Sequence, residues 1–260
     1  MVYAKMQSIC ETSLLSNNVK FPPPPPSDPS RTDLTFSEIT GYILNQTRSV
    51  KVIEVPTHPS QESFCCFKKS NYMVNDVWDY IYKTSLIKFD SNDNVHSQML
   101  KRVYKWISGS DAPATFEDPN WMKIGFQTNR PVIDFRGGGI FTLLVPFWFF
   151  NNCVNVSTEF LEIVKQSNFP IMLVLNVITC NAFESISTTN ILQSVKTEIE
   201  MWNMIFIIFA GIVKNIMNEM KTNNFNISKD SDILYKIISR SVSNVKRTYN
   251  IGKKIVSDSH

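Results

Sequence analysis

The chain has 260 residues, 26 basic and 23 acidic side chains, a net charge of +3 and 43% hydrophobic residues. That composition belongs to a folded protein with one sizeable core; it excludes the polar, highly charged regime of disorder and carries too little charge to mark a nucleic-acid binder. The cysteines, Cys10, Cys65, Cys66, Cys153 and Cys180, form an odd set without a C-x-x-C pair, and the histidines are His58, His96 and His260. Neither a disulfide framework nor a zinc site is expected, and no metal ligand set is assigned. Lys5, Glu11 and Lys20 interrupt the first residues with no apolar run between them, so the expected compartment is the cytoplasm.

Residues 1–33 read as a flexible arm, because Pro22–Pro26 and Pro29 favour polyproline II and cannot build a helix or sheet interior. A spacer is favoured there over a ligand for SH3 or WW domains. Residues 34–74 form an N-terminal extension. In it, Thr35 and Glu38 stand three apart ahead of Ile39 and Ile43, which predicts a capping box and a short helix ending near Asn45. A short strand is expected over Val50–Val55, followed by connection to Ser70.

From residue 75 to 255 the pattern is helical. Val77, Ile81 and Leu86 predict one amphipathic helix; Val95, Met99, Val103, Trp106 and Ile107 predict a second, stopped at Gly109. Asp118 followed by Pro119 opens a short helix carrying Trp121 and Ile124. Residues 125–139 break the period with Gly125, Pro131 and Gly137–Gly139, and read as a loop. Ile140–Phe150 is apolar on every face, as a buried central helix is, with a kink expected at Pro146.

Further helices are predicted over Thr158–Gln166, Pro170–Phe183, Leu192–Met220 and Ser231–Val245. The longest apolar run, Met201–Val213, contains Asn203 and is bounded by Glu200 and Lys214. A membrane span takes roughly 20 residues, so this run reads as a core helix. Lys236, Arg240, Lys246, Arg247, Lys253 and Lys254 collect near the end; a solvated helix face is the plain reading, and a surface meeting anionic lipid or phosphate is the alternative. The fold class is all-α, a multi-helix domain behind a Pro-rich arm.

The stretch from Trp121 to Ile140 carries the chemistry. Trp121, Ile124 and Phe126 are apolar anchors, Asp134 and Arg136 are opposite charges two apart, and Phe135 between them can point inward. Gly137–Gly139 let the backbone lie close to another surface. An arginine held on such a turn reads phosphate well, because its planar fork stays charged and offers fixed donors. Arg136 paired with Asp134 or a nearby carbonyl, on glycines that merely join two helices, is the structural alternative, and residue types alone do not separate the two. No Lys-Ser/Thr follows the glycines, so a P-loop is absent and the chain is not itself a P-loop nucleotide hydrolase.

The spacing Trp121-x-x-Ile-Gly-Phe-Gln-x-x-x-Pro131-x-x-Asp-Phe-Arg-Gly-x-Gly139, running into an apolar helix, resembles the signature of the ELMO domain family. A looser likeness extends from about Ser91 to about Tyr249. The resemblance implies a helical domain that engages small-GTPase signalling. In the family's single-domain branch, the arginine of Asp-Phe-Arg-Gly is the finger of an activating protein for Arf and Arf-like GTPases; the larger scaffold branch lacks it and partners Dock-type exchange factors.

This chain keeps the arginine, as Arg136, and so groups with the activators. The resemblance implies that Trp121, Gly125, Phe126, Gln127, Pro131, Asp134, Phe135, Gly137 and Gly139 support the loop. It implies no cofactor of the chain's own, since GTP and magnesium would belong to the partner. The alternative it leaves is a non-catalytic scaffold that holds a GTPase or exchange factor, and a peripheral contact with internal membranes through the basic C-terminal helix. The sequence departs from the family at Thr128-Asn129-Arg130, where Arg130 stands in place of a frequent acid, and at Pro146.

Overall fold

The structure, a computed structural model, describes residues 25–51, 72–165, 170–187, 195, 197–223 and 231–258, without the side chains of 72–78, 136 and 231. Most of the proline run, most of the expected strand at 50–55 and the expected helix start at Leu192 lie outside these residues. All regular structure among the described residues is helical, in agreement with the all-α expectation.

Helix α1, Phe36–Ser49, opens with the expected capping box: the Glu38 amide donates to Thr35 Oγ1 at 3.2 Å and the Thr35 amide to the Glu38 carboxylate at 2.7 Å. It runs past Asn45 because Thr47 is absorbed by the interior. The Thr47 hydroxyl bonds back to the Ile43 carbonyl and lies 3.1 Å from the Thr84 hydroxyl of α2, Tyr72–Leu86. Ile39, Ile43 and Leu44 are buried, so this part of the N-terminal extension packs on the same core as the helices that follow.

Helix α3, Asn94–Ser108, is capped by Asp93, whose carboxylate accepts from the amides of Val95 and His96, and it stops at Gly109, whose φ of 72° is the left-handed close that glycine adopts without strain. The same Asp93 accepts from Tyr42 Oη at 2.8 Å and Gln46 Nε2 at 3.1 Å, tying α1 to the start of α3. Gln46 Oε1 lies 3.0 Å from His96 Nε2, and the Asp90 amide donates to His96 Nδ1 at 3.1 Å. Nδ1 is therefore the acceptor and Nε2 carries the hydrogen. Burial, the dominant cause, pushes the His96 pKa down.

Helix α4, Phe141–Asn152, buries every residue from Phe141 to Phe150 and stays helical on both sides of Pro146. Helix α5, Val154–Lys165, and α6, Ile171–Ser187, follow. Helix α7, Glu198–Asn223, is the hub of the fold, in contact with α2, α4, α5, α6 and the two closing helices, α8 over Ser231–Ser243 and α9 over Val245–Asp258. It is long and apolar enough to cross a membrane by length and composition, but 72% of its most apolar window is buried inside the protein. The apolar run Met201–Val213 is thus one part of a longer core helix. Lys214 and Lys221 on its solvent side both pair with Glu159 of α5.

The sequence reading ends its last helix at Val245 and misses α9 as an element. The buried face of α9 is Val245, Thr248, Gly252, Ile255 and Val256, in which a threonine and a glycine interrupt the apolar period. Those two small residues are what let α9 lie against α7: a side chain at Gly252 would meet the Ile207 backbone, and one at Gly211 the Thr248 backbone.

Candidate functional site

The expected loop of residues 125–139 is more regular than a loop. Two 3-10 helices, Pro119–Ile124 and Pro131–Gly137, bracket a short turn, each with proline at its first position, where the missing amide hydrogen costs nothing. The aromatic side chains of this segment form its floor. Trp121 is fully buried, donates from its indole nitrogen to the Thr115 carbonyl at 2.9 Å, stacks on Phe116 and meets Tyr104 and Phe126 edge-on. Phe126 meets Phe135 edge-on at 5.6 Å, and Phe135 lies 5.3 Å from Phe89. Pro131 is buried beside them.

Above that floor the backbone is tied at both ends. Gly125 has φ 92°, and a side chain there would collide with the backbone of Pro170 and Ile171; its carbonyl accepts from the Leu173 amide at 3.2 Å. Leu173 lies in the first turn of α6, where amides have no partner within the helix, so the motif supplies one. Gly139 has φ 55° and rests against the last turn of α2: a Cβ would fall within 3.0 Å of the Ser85 and Ile87 carbonyl oxygens. Next to it, the Ile140 amide donates to the Ile87 carbonyl at 2.7 Å. Gly138 covers a cavity of about 150 Å³ that reaches Phe141, Cys180 and Phe183.

The polar groups close the turn. Gln127 is exposed and its amide donates to Asp134 Oδ2 at 2.8 Å, while the Asp118 amide donates to the Asn129 carbonyl at 3.1 Å. Arg130, the departure from the family pattern, pairs with Glu117 at 2.7 Å and braces the turn from outside. Asn176 of α6 reaches the Asp134 carbonyl at 3.4 Å. Asn176 is a supporting residue that the sequence reading leaves out; the signal for it is a lone carboxamide inside the apolar run Leu173–Ile178. Arg136 is the next-to-last residue of the second 3-10 helix, directly after the anchored Phe135. The side chain of Arg136 lies outside the description. Met122 and Val132, one from each 3-10 helix, are large apolar side chains exposed at the site's edge.

Among the described residues no group of three or more histidine, cysteine, aspartate or glutamate side chains stands together as a metal site. What this geometry offers is a turn held by buried rings, two close-packed glycines and one carboxylate, with an arginine at its C-terminal end.

Residues 79–230, more than half of the chain and the whole of this site, match the family model described as ELMO/CED-12. The chain belongs to the ELMO/CED-12 family. The chain is also similar to ELMO domain-containing protein 3 of Homo sapiens, 30% identical over 76 residues, which is 29% of this chain and 20% of the human protein. The Bos taurus and Mus musculus proteins of the same name are 32% and 30% identical over 66 residues, 25% of this chain and 17% of theirs. The matched segment thus spans a fifth or less of the length of these curated relatives. No solved structure matches the chain. The ELMO/CED-12 span begins in α2, includes the aromatic floor and both glycine contacts, and stops just before α8.

Proposed function

We propose that this ELMO/CED-12 domain is an activating protein for an Arf-family or Arf-like small GTPase and supplies Arg136 in trans as an arginine finger. The observation that carries the reading is the position of Arg136 in the chain's backbone. It follows Phe135, which is 2% exposed and locked among Phe89 and Phe126, and it lies three residues before Gly139, which is pressed onto the end of α2. A residue so placed has little backbone freedom to lose when it meets a partner, which is the preorganisation that electrostatic catalysis needs.

In this mechanism the GTPase brings GTP, magnesium and its own water-positioning residue. Arg136 enters beside the β and γ phosphates and offsets the charge that develops on the transferred phosphoryl oxygens. Asp134 and Gln127 hold the turn through their 2.8 Å bond, and Trp121, Phe126, Pro131 and Phe135 hold its floor. Exposed Met122 and Val132 give the partner apolar contacts at the rim. The pair works in the cytoplasm, on whichever membrane carries the GTPase.

The test is single-turnover GTP hydrolysis by a panel of Arf and Arf-like proteins with substoichiometric wild-type domain and Arg136→Lys. A finger arginine contributes about 10³-fold or more to turnover, so the lysine variant is expected to lose nearly all stimulation while still binding the partner. The wild type is also expected to hold the GDP–aluminium fluoride complex more tightly than the GTP state. Equal stimulation by wild type and variant removes the finger assignment. Stimulation of no panel member, with stoichiometric binding retained, leaves a scaffold.

A further inference from the structure

A second concave site lies away from the Asp-Phe-Arg-Gly turn. The C-terminal half of α7, the end of α8 and the first turn of α9 enclose a cleft of about 480 Å³. Its lining mixes polar and apolar surface in similar shares: Arg240 and Arg247 line it with Asn215, Asn218, Asn244 and Glu219, beside Ile237. That volume falls in the range of small-molecule sites, but the lining has no aromatic wall and a single hydrophobic residue, Ile237.

The donors in this cleft are unevenly committed. Asn215 Nδ2 donates to Ser241 Oγ at 2.9 Å and Asn244 Nδ2 to the Arg240 carbonyl at 3.1 Å, so those amides already serve the wall. Glu219, the carboxylate of the lining, accepts from the Asn223 amide. Among the described residues, neither Arg240 nor Arg247 has an ion-pair partner, and both are exposed. Two guanidiniums and the Asn218 amide therefore remain as donors, and the carboxamide oxygens of Asn215 and Asn244 remain as acceptors. Arg247 sits in the first turn of α9, where the helix dipole adds positive potential to the same end of the cleft. Both arginines lie beyond the span that matches the family, at 79–230.

We propose that this cleft binds a hydroxylated phosphomonoester, with Arg240 and Arg247 clamping its phosphates and the asparagine carboxamides reading its hydroxyls. Planar guanidinium forks meet phosphate oxygens in pairs, and a carboxamide oxygen accepts from a ring hydroxyl; an apolar ligand would leave both sets unpaired. The chemistry is shared by a phosphorylated inositol lipid headgroup and by its soluble counterpart, and the experiment separates them.

The full chain is titrated with inositol 1,4,5-trisphosphate in a calorimeter. In parallel it is sedimented with phosphatidylcholine vesicles containing phosphatidylinositol 4,5-bisphosphate, and with phosphatidylserine vesicles of matched charge. Two double variants are compared, Arg240→Gln/Arg247→Gln inside the cleft and Lys246→Gln/Lys254→Gln on exposed positions outside it. The arginine pair is expected to weaken the phosphoinositide probe by about tenfold or more, and the lysine pair by less than about twofold, since only the former loses charge-assisted bonds. All four positions are exposed, so circular dichroism melts are expected to match wild type. Binding to the soluble probe alone assigns the soluble ligand; binding to phosphoinositide vesicles above the phosphatidylserine control assigns the headgroup. Binding to neither probe overturns the proposal. So does equal loss in the two double variants, or equal affinity for both vesicle types, because each signals diffuse charge rather than a cleft.

Discussion

Replacing Gly139 by alanine separates two reasons for a glycine in the site: a left-handed backbone, and the absence of a side chain where α2 comes close. Gly109 is the internal control. It has φ 72° with nothing within 4 Å of an added Cβ, so Gly109→Ala carries only the backbone term, about 1–2 kcal/mol. Gly139→Ala carries the same term at φ 55° and also drives a methyl against the Ser85 and Ile87 carbonyl oxygens, an overpacking that costs about 1–3 kcal/mol. Any shift that relieves this contact pulls on the 2.7 Å bond from the Ile140 amide to the Ile87 carbonyl, worth about 1 kcal/mol. The expected gap between the two variants is about 2–4 kcal/mol, which for a chain of this size is a Tm difference of about 4–16 °C. Thermal melts followed at 222 nm give that gap directly. The Gly139 variant is also expected to lose stimulation of GTP hydrolysis at temperatures where it is still folded, because the turn bearing Arg136 must move with residue 139. Equal Tm values for the two alanine variants would refute the close-approach argument.

Three more outcomes follow from the same geometry. His96 is buried with a lowered pKa, so below its ordinary value of 6.5 the unfolded chain binds the proton first; its contribution is held above about pH 6.5 and lost as pH falls. The stability difference between wild type and His96→Gln is therefore expected to shrink by about 1 kcal/mol from pH 7.5 to 5.5 in denaturant titrations, and a constant difference contradicts the assignment. Asp134→Asn keeps an oxygen for the Gln127 amide while Asp134→Ala does not, so stimulated hydrolysis should survive largely in the first and fall severalfold in the second; a parallel fall in both would indicate that the charge itself acts. Cys153 is fully buried, and burial pushes its thiol up to about 12. Alkylation at pH 8 read by mass spectrometry should leave Cys153 unmodified until denaturant is added, and rapid labelling in the folded state would contradict its placement.

Much of the fold was legible in short-range signals. The Thr35–Glu38 capping box, the Gly109 end of α3, proline after Asp118 and the all-apolar run of α4 each depend on contacts within a turn or two, and the sequence states them outright. The candidate site was legible for a different reason: ring, glycine and Asp-Phe-Arg residues at fixed spacing form a pattern that the ELMO/CED-12 match covers whole.

Long-range packing decided the rest. α1 extends past Asn45 because Thr47 finds Thr84 on another helix, and α9 goes unnoticed because a threonine and a glycine occupy its buried face, where α7 leaves room for nothing larger. Asn176 supports the turn only because α6 passes beneath Asp134, and Arg240 and Arg247 share a cleft only because α8 and α9 fold back on α7. By itself the sequence determined most of the helices, the caps at Thr35, Asp118 and Gly109, and the place of the Arg136 turn, since those rest on neighbours along the chain. Tertiary structure alone decided which glycines are pressed against other backbones and which charges meet without partners, because both depend on segments that approach only when the core closes.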